Sequence, residues 1–219
     1  MIAQVQEAWK RGVIAGVLLM DVAAALPSVT RGLLLRKMRN AGLDERPVRW
    51  TDSFMHDRWV VTSVDGQDGE EMSATTGLPQ DSPVSPVLIA LYITEIHQAV
   101  KSKIEGCRGI SFADGATCIV EGYDISGVAT GLKRCARASP KWERGNAVRF
   151  EMAKTEAIFF SRRRKHRRCQ RVIRVGDQTV HFSPDATQWL GIWLVSAPPC
   201  REPLPQDRQS PPEIGRAHV

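Results

Sequence analysis

The sequence has little of what marks a secreted, membrane-spanning or zinc-module protein. Its five cysteines are odd in number and widely spaced, with no Cys-x-x-Cys pair, which argues against a disulfide framework and against a zinc module. The five histidines show no ligand spacing, and neither Ser82 nor Ser85 lies in a Gly-x-Ser-x-Gly elbow. The apolar run at residues 13–20 stops at Asp21, far short of the roughly 20 residues that a membrane helix needs. We therefore expect an intracellular protein, cytoplasmic or nuclear and not secreted.

What the chain does have is an ordinary globular composition with a basic excess. Of its 219 residues 42% are hydrophobic and 25% charged, which suits one domain with a sizeable core. Thirty Lys and Arg against 24 Asp and Glu give a net charge of +6, which permits a polyanionic partner without requiring one. Residues 195–219 are rich in proline and contain no aromatic residue, so we expect a disordered tail after a domain at 1–194.

Hydrophobic periodicity and turn residues predict an α+β fold of helices and antiparallel hairpins. The predicted helices are residues 2–11, a helix capped by Ser28 and ended by Gly42, 47–57, 84–101, and a helix from 125 towards 142 capped by Asp124. The predicted strands are 13–20, 58–64 paired with 71–76, 109–112 paired with 117–120, 148–150, 156–160, 172–175 paired with 178–182, and 189–194. Trp50 and Trp59 are interpreted as core residues rather than base-stacking platforms.

Two acids follow apolar strands in this scheme. Asp21 ends the first strand, and Asp114 lies in an Asp-Gly pair between two apolar runs, a pattern typical of a type I′ hairpin turn at Asp114 and Gly115. If the two strands are neighbours, the carboxylates meet. Mg²⁺ prefers such hard oxygen ligands, together with substrate phosphates. Acids at strand ends are also commonly only solvated, and spacing alone leaves both interpretations open.

Residues 77–86 read GLPQDSPVSP and favour the metal interpretation. In order and spacing with its neighbours, this stretch resembles the loop of reverse transcriptases from LINE-like (non-LTR) retrotransposons, most closely the fungal ones, where it reads G-[IL]-P-Q-G-S-P-x-S-P. Four further segments resemble parts of that family. Residues 18–22 resemble the strand of the first catalytic aspartate, 112–115 the hairpin with two aspartates, 154–156 the lysine-bearing segment and 189–191 the primer grip.

The resemblance implies the palm of an RNA-directed DNA polymerase, an antiparallel sheet backed by helices, with fingers and thumb largely absent. It implies an RNA template, a DNA primer and deoxynucleoside triphosphates as partners, and Mg²⁺, or Mn²⁺, as cofactor. The catalytic residues that it implies are Asp21, Asp114 and Lys154, of which Asp21 and Asp114 would bind the metal. The residues that it implies at the nucleotide or template are Val22, Leu26, Gln80 and Ser82, and those of the primer grip are Trp189, Leu190 and Gly191.

Several positions depart from the family pattern. Gly115 stands where the family has its second hairpin aspartate, so one of three carboxylates is missing. Asp81 replaces the loop glycine, and the alanines at 23 and 24 replace a Lys-Gly pair. Leu26 occupies the aromatic position that in the family helps to exclude the 2′-hydroxyl. We therefore expect impaired activity.

A run of basic residues forms a possible nucleic-acid patch. It comprises Arg162, Arg163, Arg164, Lys165, Arg167 and Arg168. The run is either a solvated loop, a surface that contacts phosphates in a salt-dependent way, or a nuclear localisation signal.

Three hypotheses follow from the sequence. The chain is an RNA-directed DNA polymerase palm, a palm remnant that binds nucleic acid without catalysis, or the functionless product of a pseudogene. The number of acids at the hairpin separates the first two hypotheses, and failure to fold would mark the third.

Overall fold

The computed structural model describes residues 1–101, 104, 106–112, 115–163, 166, 172–175 and 178–196. Its helices are α1 (Ile2–Lys10), α2 (Ala25–Ser28), α3 (Arg31–Asn40), α4 (Glu45–Phe54), α5 (Ser85–Lys101) and α6 (Ile125–Asn146). Its strands are β1 (Ile14–Ala23), β2 (Trp59–Val60), β3 (Ser63–Val64), β4 (Gln67–Asp68), β5 (Met72–Ser73), β6 (Cys107–Phe112), β7 (Gly115–Gly122), β8 (Arg149–Phe150), β9 (Glu156–Phe160), β10 (Val172–Val175), β11 (Gln178–Ser183), β12 (Ala186–Trp189) and β13 (Ile192–Val195). A 3-10 turn spans Met152–Lys154.

The main sheet has the strand order β10-β11-β9-β1-β7-β6, and β8 pairs with the end of β1. The described neighbours are antiparallel except for β9 and β11, which are parallel. Strand β1 is central, and residues 13–18 and 20 are buried, because it is covered on both faces. A strand buried on both faces reads as a continuous apolar run, which explains the sequence pattern before Asp21.

The sheet separates two cores. On one face Leu18 of β1 belongs to the core that includes Tyr92 of α5 and Leu132 of α6. On the other face Val17 packs with residues of α1 and with Leu194 of β13. Because successive strand residues point to opposite faces, Asp21 lies on the same face as Val17, the face of α1 and the β12–β13 hairpin.

Helix α6 lies close against β1. A Cβ atom added to Gly16 would lie 2.4 Å from Cγ1 of Val128, so glycine is needed at this point of close approach. Asp124 caps the helix as predicted, since its carboxylate accepts a hydrogen bond of 2.8 Å from the backbone N–H of Gly127. The helix continues through Pro140 to Asn146, four residues beyond the predicted end.

The predicted α+β class and the mostly antiparallel sheet are confirmed. The pairing of residues 172–175 with 178–182 is also confirmed. The predicted pairing of 58–64 with 71–76 holds only for β2 with β5, because the sequence between them forms its own small hairpin of β3 and β4.

Three local predictions were wrong. Ser28 does not cap a long helix but ends α2, and its hydroxyl donates to the carbonyl of Ala23 at 3.5 Å. The last predicted strand, 189–194, is instead the hairpin of β12 and β13, because Leu190 (φ 51°) and Gly191 (φ 77°) turn the chain. Trp50 and Trp59 are not core residues, since 50% and 62% of their surfaces are exposed.

The described residues test two further predictions only in part. No helix in the described ranges has the length and hydropathy needed to cross a bilayer. The predicted tail at 195–219 lies outside the described residues beyond Ser196.

Candidate active site

Asp21 lies inside β1 rather than at its end, because β1 continues to Ala23, three residues beyond the predicted end at residue 20. It pairs directly with Gly115 of β7, while the following residue Val22 pairs with Phe150 of β8. The Asp21 side chain is 35% exposed. The Asp21 carboxylate is therefore exposed to solvent on the face of the sheet that packs against α1, between β7 and the segment after β8.

Lys154 lies beside this carboxylate. Its Nζ atom is 3.4 Å from Oδ2 of Asp21. Two backbone hydrogen bonds hold the segment in place, one of 2.7 Å from the Glu151 N–H to the Asp21 carbonyl and one of 3.0 Å from the Lys154 N–H to the Glu151 carbonyl. Exposed ion pairs contribute only about 0–1 kcal/mol, so the backbone contacts fix the segment and leave the ammonium group free to move.

The turn between β6 and β7 differs from the prediction by one residue. Gly115 is a strand residue that pairs with both Phe112 and Asp21, and its φ lies outside the left-handed region. Asp114 lies outside the described residues. The sequence signal was misleading at Gly115, because that glycine is paired in β7 rather than placed in a turn with positive φ.

Gly115 leaves room for a side chain. An added Cβ atom would meet only the Phe112 carbonyl oxygen, at 3.4 Å, which is an ordinary contact distance. In β7, residues 117, 119 and 115 share one face, and Ile119 belongs to the core beneath α1. A carboxylate at position 115 would therefore stand directly across from Asp21 on the same face.

The loop at residues 77–86 begins against the segment that follows Asp21. The N–H groups of Gly77 and Leu78 donate to the carbonyls of Val29 and Leu26, both at 2.8 Å. Within the loop, the Ser85 hydroxyl donates to the Pro79 carbonyl at 2.6 Å. The loop is thus held beside α2, at the end of β1.

Two predicted nucleotide-binding residues lie on this loop, and a third lies on α2. Gln80 is exposed and Ser82 is half-buried. The Ser82 hydroxyl accepts a hydrogen bond of 3.4 Å from the Val84 N–H. Leu26 is half-buried and packs against the core beneath α5, so its side chain supports the loop from below.

Two of the departures from the family pattern occur where the backbone is left-handed. Ala24 has φ 47° and ψ 49°, and Asp81 has φ 60°. The family has glycine at both positions, and only glycine adopts this conformation without steric cost. Asp tolerates it better than most residues, whereas Ala has no compensating side-chain contact with the local backbone. Both residues therefore carry backbone strain at these positions.

The predicted primer grip lies in the β12–β13 hairpin on the same side of the sheet as Asp21. Trp189 is half-buried against the core beneath α1, and Leu190 and Gly191 form the turn. The hydroxyl of Thr187 hydrogen-bonds to the Glu156 carboxylate of β9. Among the described contacts, this hairpin is bound to Glu156 and not to Asp21. The sequence analysis did not single out Glu156.

Part of the basic run lies outside the described residues, namely Arg164, Lys165, Arg167 and Arg168. The guanidinium carbon of Arg162 lies 5.9 Å from the centre of the Trp9 ring, and the Arg163 N–H donates to the Ser161 hydroxyl at 3.2 Å. Arg162 and Arg163 thus lie at the end of β9, with Arg162 beside α1.

The donor set around Asp21 is small. Among the described residues Asp21 belongs to no group of three possible metal ligands. Mg²⁺ is usually held by one or two carboxylates together with substrate phosphates. Among the described residues, Asp21 supplies one such carboxylate at this position.

These features define a mixed α/β domain in which an acid and a lysine meet on one face of a mostly antiparallel sheet. The sequence profile of the family "Reverse transcriptase (RNA-dependent DNA polymerase)" matches residues 2–194. The chain therefore belongs to the reverse transcriptase family.

One of two similar solved structures supports the fold. A truncated apo telomerase from Candida tropicalis superposes with a TM-score of 0.59 at 10% identity, over 89% of this chain and 37% of that one. Telomerase from Candida albicans in complex with a fragment of telomeric RNA superposes with a TM-score of 0.42 at 11% identity, over 70% and 30%. The chain spans about a third of the length of these proteins. No curated protein matches the sequence.

Proposed function

We propose that residues 1–194 are the palm of an RNA-directed DNA polymerase from a LINE-like retrotransposon of fungal type, followed by a disordered tail. The observation that carries the catalytic assignment is the direct pairing of Asp21 with Gly115, the residue that follows Asp114 in the sequence. The LINE-like and fungal assignments depend on the motif GLPQDSPVSP at 77–86. An RNA template, a DNA primer and deoxynucleoside triphosphates are the partners that this function requires, and they suit a cytoplasmic or nuclear location.

The proposed function gives these site residues the following roles. Asp21 and Asp114 would hold Mg²⁺ or Mn²⁺, which when bound offsets negative charge on the triphosphate and the attacking hydroxyl. Lys154 can turn from Asp21 toward an anionic phosphate, because the ion pair is exposed and weak. The backbone at Val22 and the loop with Gln80 and Ser82 would position the nucleotide and template, since catalysis here rests on alignment and charge.

We further propose that activity is impaired. Gly115 supplies no carboxylate opposite Asp21, and loss of even an outer-shell partner of a metal ligand typically costs about 10–100-fold in affinity or activity. Asp81 adds a negative charge to the loop that would approach the triphosphate. Both features reduce the attraction between the site and a metal-bound nucleotide.

A second candidate function is nucleic-acid binding without catalysis. It is favoured by Gly115 and by the exposed Arg162 and Arg163 at the end of β9. Such binding would weaken steeply with salt, because cations are released from the nucleic acid when arginines contact phosphates.

Primer extension on an RNA template, with Mg²⁺ and with Mn²⁺, tests the proposal. The variants are Asp21→Ala, Gly115→Asp and the control Gly145→Asp, which adds an acid at a site with nothing within 4 Å. Extension that Asp21→Ala abolishes and Gly115→Asp raises supports the impaired polymerase. If no variant extends the primer while the wild type binds the RNA–DNA duplex in a salt-dependent way, the catalytic proposal is wrong and the second candidate is correct.

A further inference from the structure

Three cysteines that are far apart in sequence meet inside the fold. Cys107 comes from β6, Cys118 from β7 and Cys135 from α6, and all three are buried. Their sulfur atoms all lie within 4.8 Å of one another, and those of Cys107 and Cys135 are 3.4 Å apart. The separations of 11 and 17 residues hid this cluster from the sequence analysis, which expected no zinc site.

The spacing of the sulfurs suits a single metal ion. Zinc binds thiolate sulfur at about 2.3 Å in tetrahedral geometry, which places two ligating sulfurs about 3.8 Å apart. Soft thiolate donors select zinc and similar ions over magnesium and calcium. Only side-chain adjustments of a fraction of an ångström to about one ångström separate the observed cluster from three corners of such a tetrahedron.

A histidine lies near the cluster, although among the described residues only the three cysteine sulfurs lie within 4.8 Å of one another. The ring of His97 in α5 packs directly against Gly109, so that a Cβ atom added to Gly109 would overlap the ring's Nδ1. Gly109 is two residues from Cys107 on β6 and pairs directly with Cys118 of β7, so His97 fills the space that this glycine leaves beside both cysteines.

The ring of His97 is prepared for ligation. Its Nε2 atom hydrogen-bonds to the Ser111 hydroxyl, while Nδ1 is buried and has no hydrogen-bond partner in the described part of the chain. Metal-binding histidines are commonly held in this way, with one ring nitrogen fixed by a hydrogen bond and the other free for the metal.

A bound cation would stabilise all three sulfurs as thiolates, because metal binding displaces the protons of its ligands.

We propose that Cys107, Cys118 and Cys135 bind a zinc ion, and that the ring of His97 turns to become its fourth ligand. Four protein ligands and burial are the marks of a structural rather than a catalytic zinc site. The ion would join β6 and β7 to α5 and α6. This site is independent of the polymerase proposal, since it lies on the opposite face of the sheet from Asp21.

Cobalt substitution tests the site in the full chain, purified with a non-thiol reductant. One equivalent of Co²⁺ is expected to give thiolate-to-metal charge-transfer absorption and tetrahedral ligand-field bands, and Zn²⁺ should displace it. Cys135→Ala should weaken binding by at least about 100-fold and His97→Ala by at least about tenfold, since each removes a ligand. Cys200→Ser, which changes a cysteine outside the cluster, should leave binding unchanged.

A measurement on the wild type covers the case in which a variant fails to fold. Native mass spectrometry of the wild type should find one bound Zn²⁺ per chain, and a chelator should remove it. The proposal is overturned if Co²⁺ gives no charge-transfer band, if no zinc is bound, if the affinity is unchanged in Cys135→Ala or His97→Ala, or if mass spectrometry finds Cys107 and Cys135 joined as a disulfide in the reduced preparation.

Discussion

Replacing Ala24 by glycine should stabilise the protein, although it removes a methyl group next to the candidate active site. Ala24 follows β1 directly and has φ 47° and ψ 49°, a conformation that brings Cβ too close to the following carbonyl oxygen. The wild type carries this strain in the native state only. Glycine removes it without changing the path of the chain.

The size of the effect follows from two opposing contributions. An L-residue in the left-handed region costs roughly 1–2 kcal/mol, and the greater freedom of glycine in the unfolded chain costs roughly 0.4–1 kcal/mol. The net stabilisation is therefore about 0.5–1 kcal/mol. For a chain of this size that corresponds to a rise in Tm of about 1–4 °C.

Urea unfolding followed by circular dichroism measures this difference, with Ala23→Gly as the matched control. Ala23 pairs with Arg149 as the last residue of β1, and its φ lies outside the left-handed region. Glycine there should destabilise the protein by about 0.5–1 kcal/mol, as in other strands and helices. If Ala24→Gly unfolds at the same urea concentration as wild type or a lower one, the strain argument is refuted.

Two further predictions concern buried and capping groups. Lys37 is buried with an ion pair to Glu95 at 2.8 Å, so Lys37→Met combined with Glu95→Leu should change stability by less than about 1 kcal/mol while Lys37→Ala alone costs about 2–4 kcal/mol through lost packing, measured by urea unfolding. Burial lowers the pKa of Lys37, and the unfolded chain therefore keeps this proton to higher pH. Wild-type stability should thus rise relative to Lys37→Met as pH increases toward 10.5; an unchanged difference would contradict it. Asp124→Ala should cost about 1 kcal/mol by removing the cap of α6, whereas Asp124→Asn should cost little, and equal losses in thermal melts would argue against the cap.

The sequence predicted features that depend on neighbouring residues. The α+β class, the β10–β11 pairing and the Asp124 cap are confirmed, because periodicity, turn residues and capping chemistry act within a few residues. The resemblance to reverse transcriptases located Asp21 and the loop at 77–86, and the family is confirmed by the match over residues 2–194. The role of each site residue stays a prediction.

Features set by distant contacts escaped the sequence analysis. The register of β1 and β7 decides that Gly115 is a strand residue opposite Asp21, and no local pattern gives that register. Leu190 turns the chain at φ 51°, where β-hairpin rules predict Gly, Asn or Asp. The cysteine cluster depends on how α6 packs on the sheet, which sequence spacing does not reveal.

The most direct test of the account is Mn²⁺ binding, followed by electron paramagnetic resonance, to wild type, Gly115→Asp, Gly145→Asp and Asp21→Ala combined with Gly115→Asp. If Asp21 and position 115 face each other across a metal site, Gly115→Asp should bind Mn²⁺ at least about tenfold more tightly than wild type. The gain should disappear when Asp21 is removed and be absent in Gly145→Asp. Equal affinity in wild type and Gly115→Asp, or a gain that survives Asp21→Ala, would contradict the assignment of this face as the polymerase site.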